Sequence, residues 1–155
     1  MDETPEVDEC AAMLAVKILG RKWTTNILCE LLMNKELFFS DLQKNILGNY
    51  GEKISARVLS EGLSRLEEMT VIQRNVISES MPIRVKYSLT QKGEDFKYIF
   101  AMLKGWGLKW GGVDIKKCRS FSCIHNSVPF INIDCIEDTL CWDSTELEKE
   151  KKPSS

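Results

Sequence analysis

Ile83-Arg84-Val85-Lys86-Tyr87-Ser88-Leu89 alternates apolar and polar side chains. On an extended chain Ile83, Val85, Tyr87 and Leu89 therefore share one face, and Arg84, Lys86 and Ser88 the other. Residues 71–77, rich in β-branched side chains, offer a partner strand, and Ser78-Glu79-Ser80-Met81-Pro82 forms the turn between them. Just upstream the period differs. Ile54, Val58, Leu59, Leu63, Leu66 and Met69 recur at helical spacing, with Ser55, Arg57, Ser60, Glu61, Ser64 and Arg65 on the opposite face. The chain thus passes from a helix with a small, polar outer face directly into a basic hairpin.

Working outward, Ser40-Asp41-Leu42-Gln43 reads as a capping box that opens a short helix to about Leu47. Gly48-Asn49-Tyr50-Gly51 should break it. Two further helices precede it: Val7, Cys10, Ala11, Leu14 and Ile18, stopped by Gly20, and then Trp23, Ile27, Leu28, Leu31 and Leu32. After Thr90, Phe96, Ile99, Phe100, Leu103, Trp106 and Trp110 form a broad helical stripe ending at Gly111-Gly112. The expected fold is mainly α with a β-hairpin wing, in the element order of a winged helix-turn-helix. The expected domain covers residues 7–112, followed by a cysteine-bearing extension over 113–155 whose charged tail should be disordered.

The chain has 155 residues, 43% of them apolar, which suits one domain with an appendage. No stretch approaches the roughly 20 apolar residues that span a bilayer, and the acidic start has no signal-peptide core, so a soluble, cytoplasmic protein is expected. His125 is the single histidine, which excludes a multi-His metal centre and disfavours a His-dependent nucleophile triad. With no carboxylate pair, phosphate loop or nucleophile motif, the chain does not read as an enzyme. The net charge of −2 hides an asymmetry. Twelve of the 23 acids but only three of the 21 bases lie in residues 1–9 and 134–155, which leaves 10–133 with 18 bases against 11 acids. A basic body between acidic ends suits an anionic partner such as double-stranded DNA, and equally an ordinary solvated surface.

The polar face of the fourth helix has the side chains that major-groove entry needs: Ser55, Arg57, Ser60, Glu61, Ser64 and Arg65, with no bulky hydrophobe between them. Arg84 and Lys86 on the hairpin would lie along the phosphate backbone or in the minor groove. Four stretches carry a family resemblance. Leu19-Gly20-Arg21-Lys22-Trp23-Thr24, Phe38-Phe39-Ser40-Asp41-Leu42, Ile54-Ser55-Ala56-Arg57-Val58-Leu59 with Leu63-Ser64-Arg65-Leu66-Glu67, and residues 82–93 occur in one order over about 10–112. Together they resemble the HxlR-type winged helix-turn-helix transcriptional regulators, relatives of the MarR group. The resemblance implies a homodimer on operator DNA, with the helix at 55–68 reading sequence and the hairpin at 71–89 as wing. It also implies dimerisation through the terminal helices, where Phe100, Leu103, Trp106 and Trp110 are the expected interface. This chain departs from the pattern in a longer loop at 47–53, in Glu61 and mid-helix Gly62, and in Met69-Thr70-Val71, which replaces the usual glycine before the wing.

Cys29, among leucines, reads as core. Cys10 opens the first helix, near where several members of the resembled family sense oxidants or electrophiles. It is either a redox sensor or a packing residue, and Asp8 and Glu9 oppose thiolate formation. Cys118, Cys123, Cys135 and Cys141 could be free, form disulfides or hold zinc, but lack the tight two-residue spacing that makes zinc signatures specific. No cofactor is expected, and the extension is expected to pack on the domain through Phe121, Ile124, Phe130, Ile131, Ile133 and Trp142. Two rival readings remain at this level. One is a winged-helix protein-interaction module without DNA binding; the other is a zinc-dependent structural or sensor protein.

Overall fold

The computed structural model describes residues 10–111. The element order is α1 (Ala11–Leu19), α2 (Thr24–Asn34), β1 (Glu36–Phe38), α3 (Phe39–Tyr50), α4 (Ala56–Glu68), β2 (Ile72–Ile77), β3 (Arg84–Leu89), α5 (Gln91–Glu94) and α6 (Phe96–Trp110). The mainly helical, winged architecture is as expected. The extension at 113–155, with its four cysteines and the apolar residues expected to pack, lies outside the described residues, as does Val7.

The core forms where the apolar faces of these elements meet. Ile27, Leu28 and Leu31 of α2, Leu42 and Ile46 of α3, and Leu59, Leu63 and Leu66 of α4 are all buried, joined by Val71, Ile72, Tyr87, Leu89, Phe96 and Phe100. Each such side chain contributes about 1.5–3 kcal/mol through burial. Glu30 also lies on the buried side of α2, fully shielded from solvent. Its carboxylate accepts from Asn49 Nδ2 at 2.6 Å, and Asn34 Nδ2 donates to its backbone oxygen at 2.9 Å. Burial of this carboxylate is tolerable because amides from α2 and α3 replace water around it.

Three expectations about α3 and its surroundings are corrected. Residues 36–38, too short to show a period, pair with β3 through Glu36↔Ser88, Leu37↔Tyr87 and Phe38↔Lys86, giving a three-stranded antiparallel sheet in the order β1-β3-β2. That pairing brings the chain into α3 early, so Phe38 is the N-cap and Ser40 sits inside the first turn. The capping box therefore does not form; Gln43 Nε2 donates instead to Ile54 O at 2.9 Å, tying α3 to the start of α4. Nor does α3 stop at Leu47. It continues to Tyr50, and Gly51 ends it at φ 71°, a left-handed position that glycine takes without steric cost. What looks like a lengthened loop at 47–53 is largely an added helical turn.

The wing also differs in detail. Its expected apolar face is buried only at the base: Tyr87 and Leu89 are covered, whereas Ile83 is 62% exposed and Val76 50%. The hairpin extends beyond the body, so the alternation persists where there is no core to receive it. On the fourth helix, Val58 lies at the edge of the apolar stripe and is exposed. Past Thr90 the helical signal divides at Asp95 into α5 and α6.

Candidate nucleic-acid interface

α4 presents its outer face because Leu59, Leu63 and Leu66 anchor the inner one. Gly62 belongs to the inner side: a Cβ there would lie 3.3 Å from Ile27 Cδ1. Its role is close packing on α2. Ser55, one of the expected DNA-contacting residues, is exposed and also serves as the N-cap, its Oγ accepting from Val58 N at 3.3 Å. Ser60, Glu61, Ser64 and Arg65 line one open depression, together with Glu68. Glu68 was not singled out from the sequence, though it follows Ser64 by one helical turn.

Earlier on α4, Arg57 Nε donates to Glu61 Oε1 at 2.9 Å across one helical turn. Both side chains are largely solvent-exposed, so the pair adds little stability. Its effect is orientation: the bond and the carboxylate charge raise the Arg57 pKa above the ordinary arginine value and hold the guanidinium along the helix. Glu61, an unfavourable residue beside phosphates, thus serves as a local partner for the arginine.

On the sheet, Arg84 and Lys86 share a face with Phe38 and Glu36 of β1. The Arg84 guanidinium lies 3.6 Å from the Phe38 ring centroid, and Lys86 Nζ 5.3 Å. Lys86 is also ion-paired to Glu36. The two basic wing residues are therefore unequal: Glu36 offsets the charge of Lys86, while Arg84 stacks on an aromatic ring with its charge intact. Phe38 could not be recognised as a platform from the sequence, because only strand pairing brings it beside β3.

On α6, Leu103, Trp106 and Trp110 are 53%, 60% and 67% exposed, and Met13 and Val16 of α1 are exposed too. Phe100 departs from the expected interface. It is 6% exposed and packs on Phe96 with ring centroids 6.1 Å apart, so it belongs to the core. The helix narrows its apolar stripe into two faces, one toward the body and one outward.

Among the described cysteines, Cys10 is exposed at the N-cap of α1 and Cys29 is buried. Burial, reinforced by the neighbouring Glu30 carboxylate, pushes the Cys29 thiol up to about 12. No cluster of His, Cys, Asp or Glu among the described residues could hold a metal ion. No helix among them is long and apolar enough to cross a membrane.

Comparison with known proteins agrees with the helix-turn-helix fold. Residues 18–114 match the model of the HxlR-like helix-turn-helix family. The chain is 38% identical over 96 residues to YvaP, an uncharacterised HTH-type transcriptional regulator of Bacillus subtilis, covering 62% of this chain and 82% of YvaP. It is 37% identical over 102 residues to an HTH-type transcriptional regulator of Methanothermobacter thermautotrophicus, covering 66% of this chain and 72% of the relative. Among solved structures, the reduced form of the transcriptional regulator YodB from B. subtilis superposes with a TM-score of 0.55 at 27% identity, over 66% of this chain and 95% of YodB. YodB has also been solved after diamide treatment and with a quinone bound.

Proposed function

Because this chain belongs to the HxlR-like helix-turn-helix family of MarR-like transcriptional regulators, we propose that it acts as a homodimer on operator DNA, with α4 in the major groove and the wing on the backbone or minor groove. The observation that carries this reading is the outer face of α4. Arg57, Ser60, Ser64 and Arg65 stand there on a helix whose other side is locked into the core. Short hydroxyls and two arginines can donate to base edges. Phosphate affinity then falls mainly to Arg84, held against Phe38. A regulator of this kind has no catalytic role, and its relatives are regulators too.

The test is binding of the full chain to duplex DNA over a salt series. A tight subset of sequences should emerge from a random pool, and log affinity should fall linearly with log salt, as counterion release requires. Salt-insensitive or absent binding would favour a protein-interaction module.

A second reading concerns the signal. Cys10 is the exposed cysteine among the described residues, and the similarity to YodB, solved with diamide treatment and with quinone, favours a thiol-based input. Alkylation of the native protein with peptide mapping should label Cys10 and leave Cys29 unlabelled until denaturant is added, because a thiol titrating near 12 carries almost no thiolate at neutral pH. Diamide should lower DNA affinity in the wild type and leave Cys10→Ser unaffected. An equal response in both proteins would remove Cys10 from the signal.

A further inference from the structure

The C-terminal end of α4 closes in a form that depends on a distant segment. Val71 N donates to Leu66 O and Thr70 N to Glu67 O, each at 2.9 Å. These are the two bonds of a Schellman motif, with Leu66 and Val71 both buried in the core. The residue at its left-handed position is ordinarily glycine. Here it is Thr70, at φ 57°, a β-branched residue in a region that β-branched residues disfavour. The last turn also carries Glu67 and Glu68 at the negative end of the helix dipole. Within the turn, Thr70 Oγ1 donates to Met69 O at 2.7 Å and Arg65 is the basic residue of the last turn, but the left-handed threonine remains strained.

Support arrives from the segment that starts α5. Thr90 Oγ1 lies 2.6 Å from Thr70 O and 3.0 Å from Val71 O, so its one proton can donate to either. Thr90 N donates to Val71 O at 3.1 Å. Lys92 Nζ donates to Met69 O, the C-cap carbonyl of α4, at 2.8 Å. The backbones approach so closely that a Cβ on Gly93 would come within 2.1 Å of Val71 O. Lys92 thus brings a positive charge and a donor to the carbonyl end of the helix, which is where both are most favourable.

We propose that Lys92 is a positioning residue for the DNA-reading helix: with Thr90, it holds the left-handed Thr70 turn and so fixes α4 to the segment that leads into α6. The inference rests on the proposed role of α4. It explains how a strained, non-glycine turn persists at the end of a helix that must be rigid. It also makes the α4 end sensitive to anything that moves α6, because α5 and α6 are joined through Asp95 alone.

The experiment uses the full chain, a duplex enriched from a random-sequence pool by the wild type, and unselected random duplex. Lys92→Met keeps the aliphatic stem and removes the charge. Affinity for the enriched duplex should fall about fivefold, while random-duplex affinity and its salt slope stay within about twofold. Adding Thr70→Gly should restore the enriched-duplex affinity, since glycine adopts the left-handed turn without outside help. Amide exchange at Thr70 and Val71, read by NMR, should speed up in Lys92→Met and slow again in the double variant. Unchanged affinity and exchange in Lys92→Met would overturn the proposal. So would equal loss on both duplexes with a shallower salt slope and no rescue by glycine, which would make Lys92 a phosphate contact. If the wild type binds neither duplex, the DNA-reading function itself fails, and the exchange measurement still decides whether Lys92 holds the turn.

Discussion

Replacing Arg57 or Arg65 by alanine should relax discrimination between DNA sequences, whereas Arg84→Ala should weaken all sequences together. An arginine bidentate to a guanine is worth about 1–3 kcal/mol against the wrong base, roughly five- to 150-fold. Arg57 stands fully in solvent on α4, pre-oriented by Glu61, and Arg65 borders the depression formed with Ser60 and Ser64. Arg84 is placed differently: it stacks on Phe38 on the sheet and has no helix to carry it into a groove. Its loss should flatten the salt slope by about one phosphate contact and leave sequence preference intact. Lys86→Ala should have the smaller effect of the two wing substitutions, because Glu36 already offsets the lysine charge. Glu61→Gln separates orientation from repulsion. It should raise affinity for every duplex by removing a negative charge and blur preference by releasing Arg57. Competition binding against single-base variants of an enriched duplex, repeated at several salt concentrations, measures all of these. Parallel loss of specificity in Arg57→Ala and Arg84→Ala would remove the distinction between helix and wing.

Trp106→Ala should convert dimers to monomers and abolish tight DNA binding. An indole buries about 150–250 Å² when covered, and in a two-fold interface each substitution counts twice. Interface tryptophans of this kind cost about 2 kcal/mol or more per copy when truncated. Trp106 and Trp110 project from α6 with most of their surface in solvent, alongside exposed Leu103. Their removal should therefore leave the monomer's thermal stability nearly unchanged. Phe100→Ala is the control, since it empties part of the core beside Phe96 and should cost about 3–5 kcal/mol of stability. Sedimentation at micromolar concentration and thermal denaturation separate the two. A wild-type protein that sediments as a monomer would contradict the homodimer. With a dimer, the enriched duplex should be an inverted repeat with half-sites about 34–36 Å apart.

Periodicity made much of the architecture legible. The change of period near residue 70 marked the boundary between α4 and the wing, because a helix and a half-buried strand repeat their apolar residues at different intervals. The stripe Leu59, Leu63, Leu66 predicted which side of α4 is buried, and hence which residues face outward. Local chemistry was read less reliably. Ser40 and Gln43 have the spacing of a capping box, yet Gln43 bonds Ile54 O, because β1 moves the start of α3 and the loop carbonyl competes for the amide. The cap formed by Ser55 was not read from the sequence either, though it is a role any serine before a helix can take.

By itself the sequence determined the order of elements, the core-facing stripes, the basic hairpin and the membership of residues 18–114 in a helix-turn-helix family. These depend on patterns within short windows of chain, where side-chain spacing and backbone geometry are directly linked. The tertiary structure alone decided the rest. It paired β1 with β3 and brought Phe38 beneath Arg84 and Glu36 beside Lys86, across about 50 residues of chain. It turned Phe100 inward and Trp106 outward on one helix, and it set Lys92 on the C-cap carbonyl that closes α4. Each of those depends on which elements meet in space. A charge, a ring or a hydroxyl acquires its role from the group placed opposite it, and that group is usually remote in sequence.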